Sequence, residues 1–219
     1  MKDERKIVAI AAGHYPSAPG ACYNGLIEHA EACVVAAHLG VALEGLGIRA
    51  VTVTGTLRQK IQMIADCKLQ IEAAVEIHFN ASANATANGT EVLFGSDARD
   101  RGLAEAIQKR LVAALGLCNR GVKFVEYQGK ILAQSREDEE KEKITECFWT
   151  KALNCPAVIV EPLFISNPGE AGMLKGIRDE GEGRREEGGG GMHGVIAGAV
   201  AEGIGDFINA ECGMRNQPS

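Results

Sequence analysis

The chain has 219 residues, which suits one domain with its own hydrophobic core and leaves little room for a second module. Apolar residues at 46% and charged residues at 24% lie close to globular averages, excluding wholesale disorder, collagen and a long coiled coil. With 29 acidic against 23 basic residues the formal net charge is -6, which argues against nucleic-acid binding through neutralised phosphates.

Residues 2–6 are charged and lead into a strand-like run without the apolar core of a signal peptide, and no apolar run reaches the roughly 18 residues of a membrane span. The expectation is synthesis in the cytoplasm and no membrane insertion. Seven scattered cysteines, odd in number and without a Cys-x2-Cys pair, predict reduced, mostly buried thiols rather than a disulfide framework or a zinc ribbon.

Ile7-Val8-Ala9-Ile10-Ala11-Ala12 reads as a buried strand that opens into a loop at Gly13-His14, with Pro16, Pro19 and Gly20 beyond. Helical spacing of apolar residues follows over 25–46 and is stopped by Gly45 and Gly47. A strand at 48–54, an amphipathic helix at 57–71 and a strand at 73–79 complete a βαβαβ order. After a small-polar loop at 80–89 come a strand at 90–94 and a helix at 97–115, with Gly116 as its stop. Residues 134–149 are charge-dense and read as a solvated helix docked by Phe148 and Trp149. The most strand-like run of the second half is 157–160, ending at Glu161-Pro162. Residues 181–191 have no periodicity and predict a flexible Gly-rich loop. A last apolar helix over 192–208 then packs on the sheet, and 211–219 form a polar tail. Alternating strands and helices predict a three-layer α/β sandwich, whose twisted, mixed and mostly parallel central sheet is flanked by helices. In such sheets ligands collect at the carboxy ends of strands.

Three candidate metal ligands stand at element ends: His14 after the first strand, Glu28 in the first turns of the first helix, and His78 at the end of the third strand. Two imidazoles and a carboxylate can hold Zn2+ with a position left open to water. Glu161, at the end of another strand, could take the proton of that water. Spacing alone leaves the alternative of capped strand ends and ordinary surface carboxylates open, because 14 to 28 to 78 fits no short metal pattern. Glu31, three residues from Glu28, faces similarly and competes with it. His29 and His38 read as surface or packing residues, and His193 as a helix-end residue.

Four ordered blocks narrow the choice. Val8-Ala9-Ile10-Ala11-Ala12-Gly13-His14 with Gly25-Leu26-Ile27-Glu28 resembles the opening of the zinc-dependent N-acetylmuramoyl-L-alanine amidases of the amidase_3 type. Ile77-His78-Phe79-Asn80-Ala81 with Gly89-Thr90-Glu91-Val92 is similar to their second ligand block. Arg120-Gly121-Val122-Lys123 and the run from Cys155 to Pro168 around Glu161 match two further blocks. The resemblance implies a single catalytic domain over about 1–210 that cleaves the amide between N-acetylmuramic acid and L-alanine in peptidoglycan. It implies that His14, Glu28 and His78 ligate zinc and that Glu161 is the catalytic carboxylate; Asn80 would face substrate or hold its loop. The expected action is on the cell wall, as a bacteriolytic, endolysin-like enzyme or a remodelling one. A wall-binding protein without activity on the same fold and a zinc peptidase acting on stem peptides are the competing readings.

The chain departs from the family pattern in places. Ala11-Ala12 replaces the usual Asp-Pro, Tyr15 a common glycine, and Glu76 the frequent serine before Ile77-His78. If strand alternation holds, Glu76 shares a face with His78. It is then either a carboxylate that orients the histidine or an exposed sheet-edge residue. The charged insertion at 134–146 is longer than in compact members, and Glu137 to Glu142 are expected to cap the site.

Overall fold

Strand β1 (Ile7–Ala12) is apolar throughout and buried at every position, as a strand covered on both faces must be. It lies inside a six-stranded sheet in the computed structural model, which describes residues 5–125, 149–176 and 191–215. The other strands of that sheet are β4 (Arg49–Val53), β5 (Ile71–Ile77), β6 (Thr90–Phe94), β7 (Asn119–Phe124) and β8 (Ala157–Glu161), in the order β4-β1-β5-β8-β6-β7. All neighbours are parallel except β6 and β8. A two-residue ribbon, β2 (Cys22–Tyr23) with β3 (Leu26–Ile27), stands apart from it.

Alternation along the strands builds two cores. Val8, Ile10, Val75, Ile77, Val158 and Val160 face a cluster with Leu39 and Leu43 of α1 (Glu28–Gly45), Leu103 and Ile107 of α3 (Ala98–Leu115), and Val200 and Ile204 of α5 (Gly191–Arg215). The opposite face offers Ala9, Ala11, Ala74 and Ile159 to Val53, Trp149 and Ile64, the last on α2 (Leu57–Asp66). Three alanines on that face give α2 room to lie close to the strand ends. A short helix, α4 (Pro168–Leu174), follows β8. The expected three-layer arrangement with a mixed, mostly parallel sheet is the one observed.

Several boundaries differ from expectation. Helix α2 ends at Asp66, because Lys68 takes a left-handed turn (φ 50°) and the chain enters β5 at Ile71. Helix α5 is described over Gly191–Arg215, so Gly191, read as loop, and 211–215, read as tail, are helical. Trp149 is fully buried, whereas 126–148, including the insertion and its proposed cap, lie outside the described residues, as do 177–190. The thiols are less hidden than expected: among the six described cysteines, Cys22, Cys33 and Cys118 are exposed, Cys155 is buried, and none is in a disulfide. No helix among the described residues is long and apolar enough to cross a membrane.

Candidate metal centre

Strands β1, β5 and β8 end side by side, and their pairing continues one step into the loops. The Gly13 N–H donates to the Ile77 carbonyl (2.7 Å) and the His78 N–H to the Val160 carbonyl (2.9 Å). His14, His78 and Glu161 therefore leave neighbouring strands at one edge. Glu28 reaches the same edge from the first residue of α1, whose N–H donates to the Ala21 carbonyl (2.9 Å).

Glu28 is 4% exposed and forms the hub. Its Oε1 lies 3.0 Å from His14 Nε2 and 3.1 Å from His78 Nδ1, and accepts the Phe79 N–H (3.1 Å). Its Oε2 accepts the Ala21 N–H (2.9 Å). Two backbone amides thus fix the carboxylate before any further ligand is considered. The imidazole rings of His14 and His78 meet edge to face, with centroids 4.9 Å apart.

Two glycines make this convergence possible. A Cβ on Gly13 would stand 2.5 Å from the His78 ring, and one on Gly20 (φ 75°) 2.5 Å from both Glu28 Oε2 and His14 Nε2. His14 itself has φ 60°, a left-handed conformation costing a residue with a side chain about 1–2 kcal/mol. A tight turn in which Tyr15 and Ala18 exchange backbone hydrogen bonds holds it there.

One ligand atom from each of His14, Glu28 and His78 can be chosen so that all three lie within 4.8 Å of one another. Donors around a tetrahedral ion at about 2.1 Å stand about 3.4 Å apart, so modest side-chain adjustment brings the three onto one cation. Nitrogen and carboxylate oxygen suit a borderline divalent metal. The residues therefore fit a metal.

Electrostatics agree with that arrangement. Burial opposes the charged form of Glu28, but the hydrogen bonds to His14 and His78 outweigh it and hold the carboxyl well below its ordinary range. Burial likewise opposes a charged His78, and the flanking carboxylates of Glu28 and Glu76 overcome it and raise the ring well above its usual value. A cation arriving at His78 Nδ1 would displace a proton.

Glu76 is 3% exposed on an inner strand, which overturns the sheet-edge reading. Its Oε2 lies 3.4 Å from His78 Nε2 and its Oε1 2.8 Å from the ammonium of Lys60. Sequence reading missed Lys60, which looked like one more polar helix residue. The signal was its place on the apolar stripe of α2, between Leu57, Ile61 and Ile64.

Glu31 does not join the hub; it lies 2.7 Å from His193 Nε2 and ties α5 to α1. His29 donates through Nδ1 to the Gly13 carbonyl (2.7 Å) and so steadies the His14 loop. Asn80 donates to Glu91 Oε1 (2.8 Å) and accepts the Ala81 N–H (3.0 Å), so both ends of its amide are engaged inside the protein. Glu161 is 6% exposed and pairs across the sheet with Glu91. Glu91 is gripped in turn by Arg120 and Lys123, and the Arg120 guanidinium lies over the Phe164 ring.

An α/β domain with a His-Glu-His cluster at its strand ends is the class of protein that fold and site define. Residues 8–180 match the Amidase_3 family model, described as N-acetylmuramoyl-L-alanine amidase, and the chain belongs to that family. Over 176 residues it is 28% identical to the N-acetylmuramoyl-L-alanine amidase LytC of Bacillus subtilis (strain 168), covering 77% of this chain. It spans 31% of the length of that relative. The catalytic domain of CwlV, an N-acetylmuramoyl-L-alanine amidase from Bacillus (Paenibacillus) polymyxa var. colistinus, superposes with a TM-score of 0.70 at 21% identity, covering 93% of this chain and 98% of that one. The N-acetylmuramoyl-L-alanine amidase AmiC2 of Nostoc punctiforme gives 0.71 at 20%, covering 93% and 97%. These two likenesses concern the fold.

Proposed function

We propose that this chain is a zinc-dependent amidase that hydrolyses the bond between N-acetylmuramic acid and L-alanine in peptidoglycan. The observation that carries the reading is the convergence of His14, Glu28 and His78 on one point at the strand ends, and membership of the amidase family supports the substrate.

In this reading His14 Nε2, His78 Nδ1 and a Glu28 oxygen hold the ion. Zinc, when bound, supplies Lewis acidity toward the scissile carbonyl and lowers the pKa of a water molecule. The Glu161 carboxylate takes one proton from the attacking water as its oxygen bonds to the carbonyl carbon. It returns that proton to the departing alanine nitrogen as the C–N bond breaks. The products are the lactyl carboxylate on an intact glycan and a peptide with a free amino group on L-alanine. Glu161 suits this role because its neighbour Val160 receives the His78 N–H, which fixes the carboxylate's strand beside a ligand. Asn80 holds its loop against Glu91 and so shapes the wall of the site.

Purified protein loaded with zinc and incubated with purified sacculi should release new amino-terminal L-alanine without new reducing ends. Glu161→Gln should keep its zinc and lose turnover by about 100- to 10,000-fold, the range of a positioned general base. Cleavage inside the stem peptide would make the protein a peptidase. Equal turnover by wild type and variant would remove Glu161 from the mechanism.

A further inference from the structure

The ammonium of Lys60 is 2% exposed and has all three of its donors engaged. It gives one to the Ala12 carbonyl (2.5 Å), one to the His14 carbonyl (3.1 Å) and one to Glu76 Oε1 (2.8 Å). Two of these partners belong to the chain that presents His14, and the third reaches His78 through Glu76 Oε2, 3.4 Å from Nε2. One buried cation therefore touches the supports of both imidazoles. The capping box of Thr56 and Gln59 fixes the first turn of α2 and places Lys60 there.

We propose that Lys60 and Glu76 are a positioning pair that presets both histidines for the metal. Glu76 takes the Nε2–H of His78 and leaves Nδ1 directed at the site, while Lys60 keeps Glu76 in place and locks the left-handed backbone of His14. This rests on the reading of His14, Glu28 and His78 as metal ligands. A ring open to solvent would choose its tautomer freely; here Glu28 faces Nδ1 and Glu76 faces Nε2, so each nitrogen has an acceptor for a proton, and once a cation takes Nδ1 Glu76 keeps the remaining proton on Nε2 and the ring in place. The pair is also a poor investment in stability alone, because a buried ion pair gains little over apolar residues of similar volume. Lys60 further balances Glu76, so that the single ring of His78 does not face two uncompensated carboxylates at the strand end.

The test measures zinc affinity by competition with a chromophoric chelator, and the hydrogen bond of the His78 Nε2–H in the zinc-loaded protein by its proton NMR shift. Wild type should bind zinc and show that proton far downfield, as held by a carboxylate. Glu76→Gln should weaken zinc binding by about 10- to 100-fold, the usual effect of losing a ligand's outer partner, and should move that proton upfield. Lys60→Arg, which keeps a cation facing Glu76, should stay closer to wild type than Lys60→Met. If Glu76→Gln does not fold, the double variant Lys60→Met/Glu76→Gln removes both charges together and should fold with the same loss of affinity. Wild-type affinity and an unmoved Nε2–H resonance in any folded variant lacking Glu76 would overturn the pair's role, even if its melting temperature fell. Failure of wild type to bind zinc would instead refute the reading of the site itself.

Discussion

Glu28 and Glu91 are two buried carboxylates at the same edge of the sheet, each gripped by two basic side chains. Glu28 is 4% exposed and held by His14 and His78, whereas Glu91 is 6% exposed and held by Arg120 and Lys123. Both are kept below the ordinary carboxyl range, in each case because ion-pair hydrogen bonds outweigh the burial that opposes charge. Their partners differ in one property. An imidazole can surrender its proton near neutral pH and offer a lone pair, while a guanidinium cannot and an ammonium does so only far above it. The first cluster can therefore exchange protons for a cation, and the second can only stay as it is, a strap between β6 and β7. Similar geometry thus yields a ligand set in one place and a brace in the other.

Variants at the two clusters should fail in different ways. The largest effect is expected for His14→Ala, which removes a direct donor; zinc affinity should fall by at least on the order of 1,000-fold, beyond the loss of an outer partner. A chelator titration of the folded variant checks this, and retention of tight zinc would dissolve the distinction drawn between the clusters. Next, Glu91→Gln should cost about 2 kcal/mol of stability through its charge-assisted bonds while leaving the zinc content unchanged. Denaturant unfolding beside metal quantification reads both quantities, and loss of zinc would mean that the brace is part of the site.

The smallest effect concerns a carboxylate that forms no ion pair with a basic side chain among the described residues. Burial pushes Asp100 from 3.8 up to about 6, and its Oδ2 has no hydrogen-bond partner among the described residues. Its folded form holds a proton that the unfolded chain has already released. The stability it contributes is complete below about pH 3.8 and is lost as pH rises through about 6. Asp100→Asn keeps an oxygen for the Ala157 N–H. It should gain about 1–2 kcal/mol at pH 7 and flatten the melting-temperature profile between those two pH values. A profile as steep as that of wild type would show that Asp100 is not the source.

Much of this was legible in the sequence where chemistry and periodicity agreed. Residues 7–12 declare a doubly covered strand by lacking any polar residue, and Thr90–Phe94 reads as a strand because a β-branched and apolar run follows a small-polar loop. The places of His14, Glu28 and His78 at element ends allowed their convergence, and the family blocks around them, rather than their spacing, singled it out. Strand β7 escaped because Asn119-Arg120-Gly121-Val122-Lys123-Phe124 lies at the sheet edge, with no position fully buried to impose a pattern. Helix α4 escaped because seven residues are too few to show a period. Lys60 and Glu76 were illegible as a pair because only the packing of α2 under β1 and β5 brings them together.

The atoms that surround the metal are the most direct evidence for the centre. X-ray absorption of the zinc-loaded protein should show one zinc per chain, with two imidazole nitrogens and a carboxylate oxygen at about 2.0–2.2 Å and no sulfur. A sulfur shell at about 2.3 Å would place the ion on the chain's cysteines and contradict the His14, Glu28 and His78 assignment, as would a protein that retains no zinc at all.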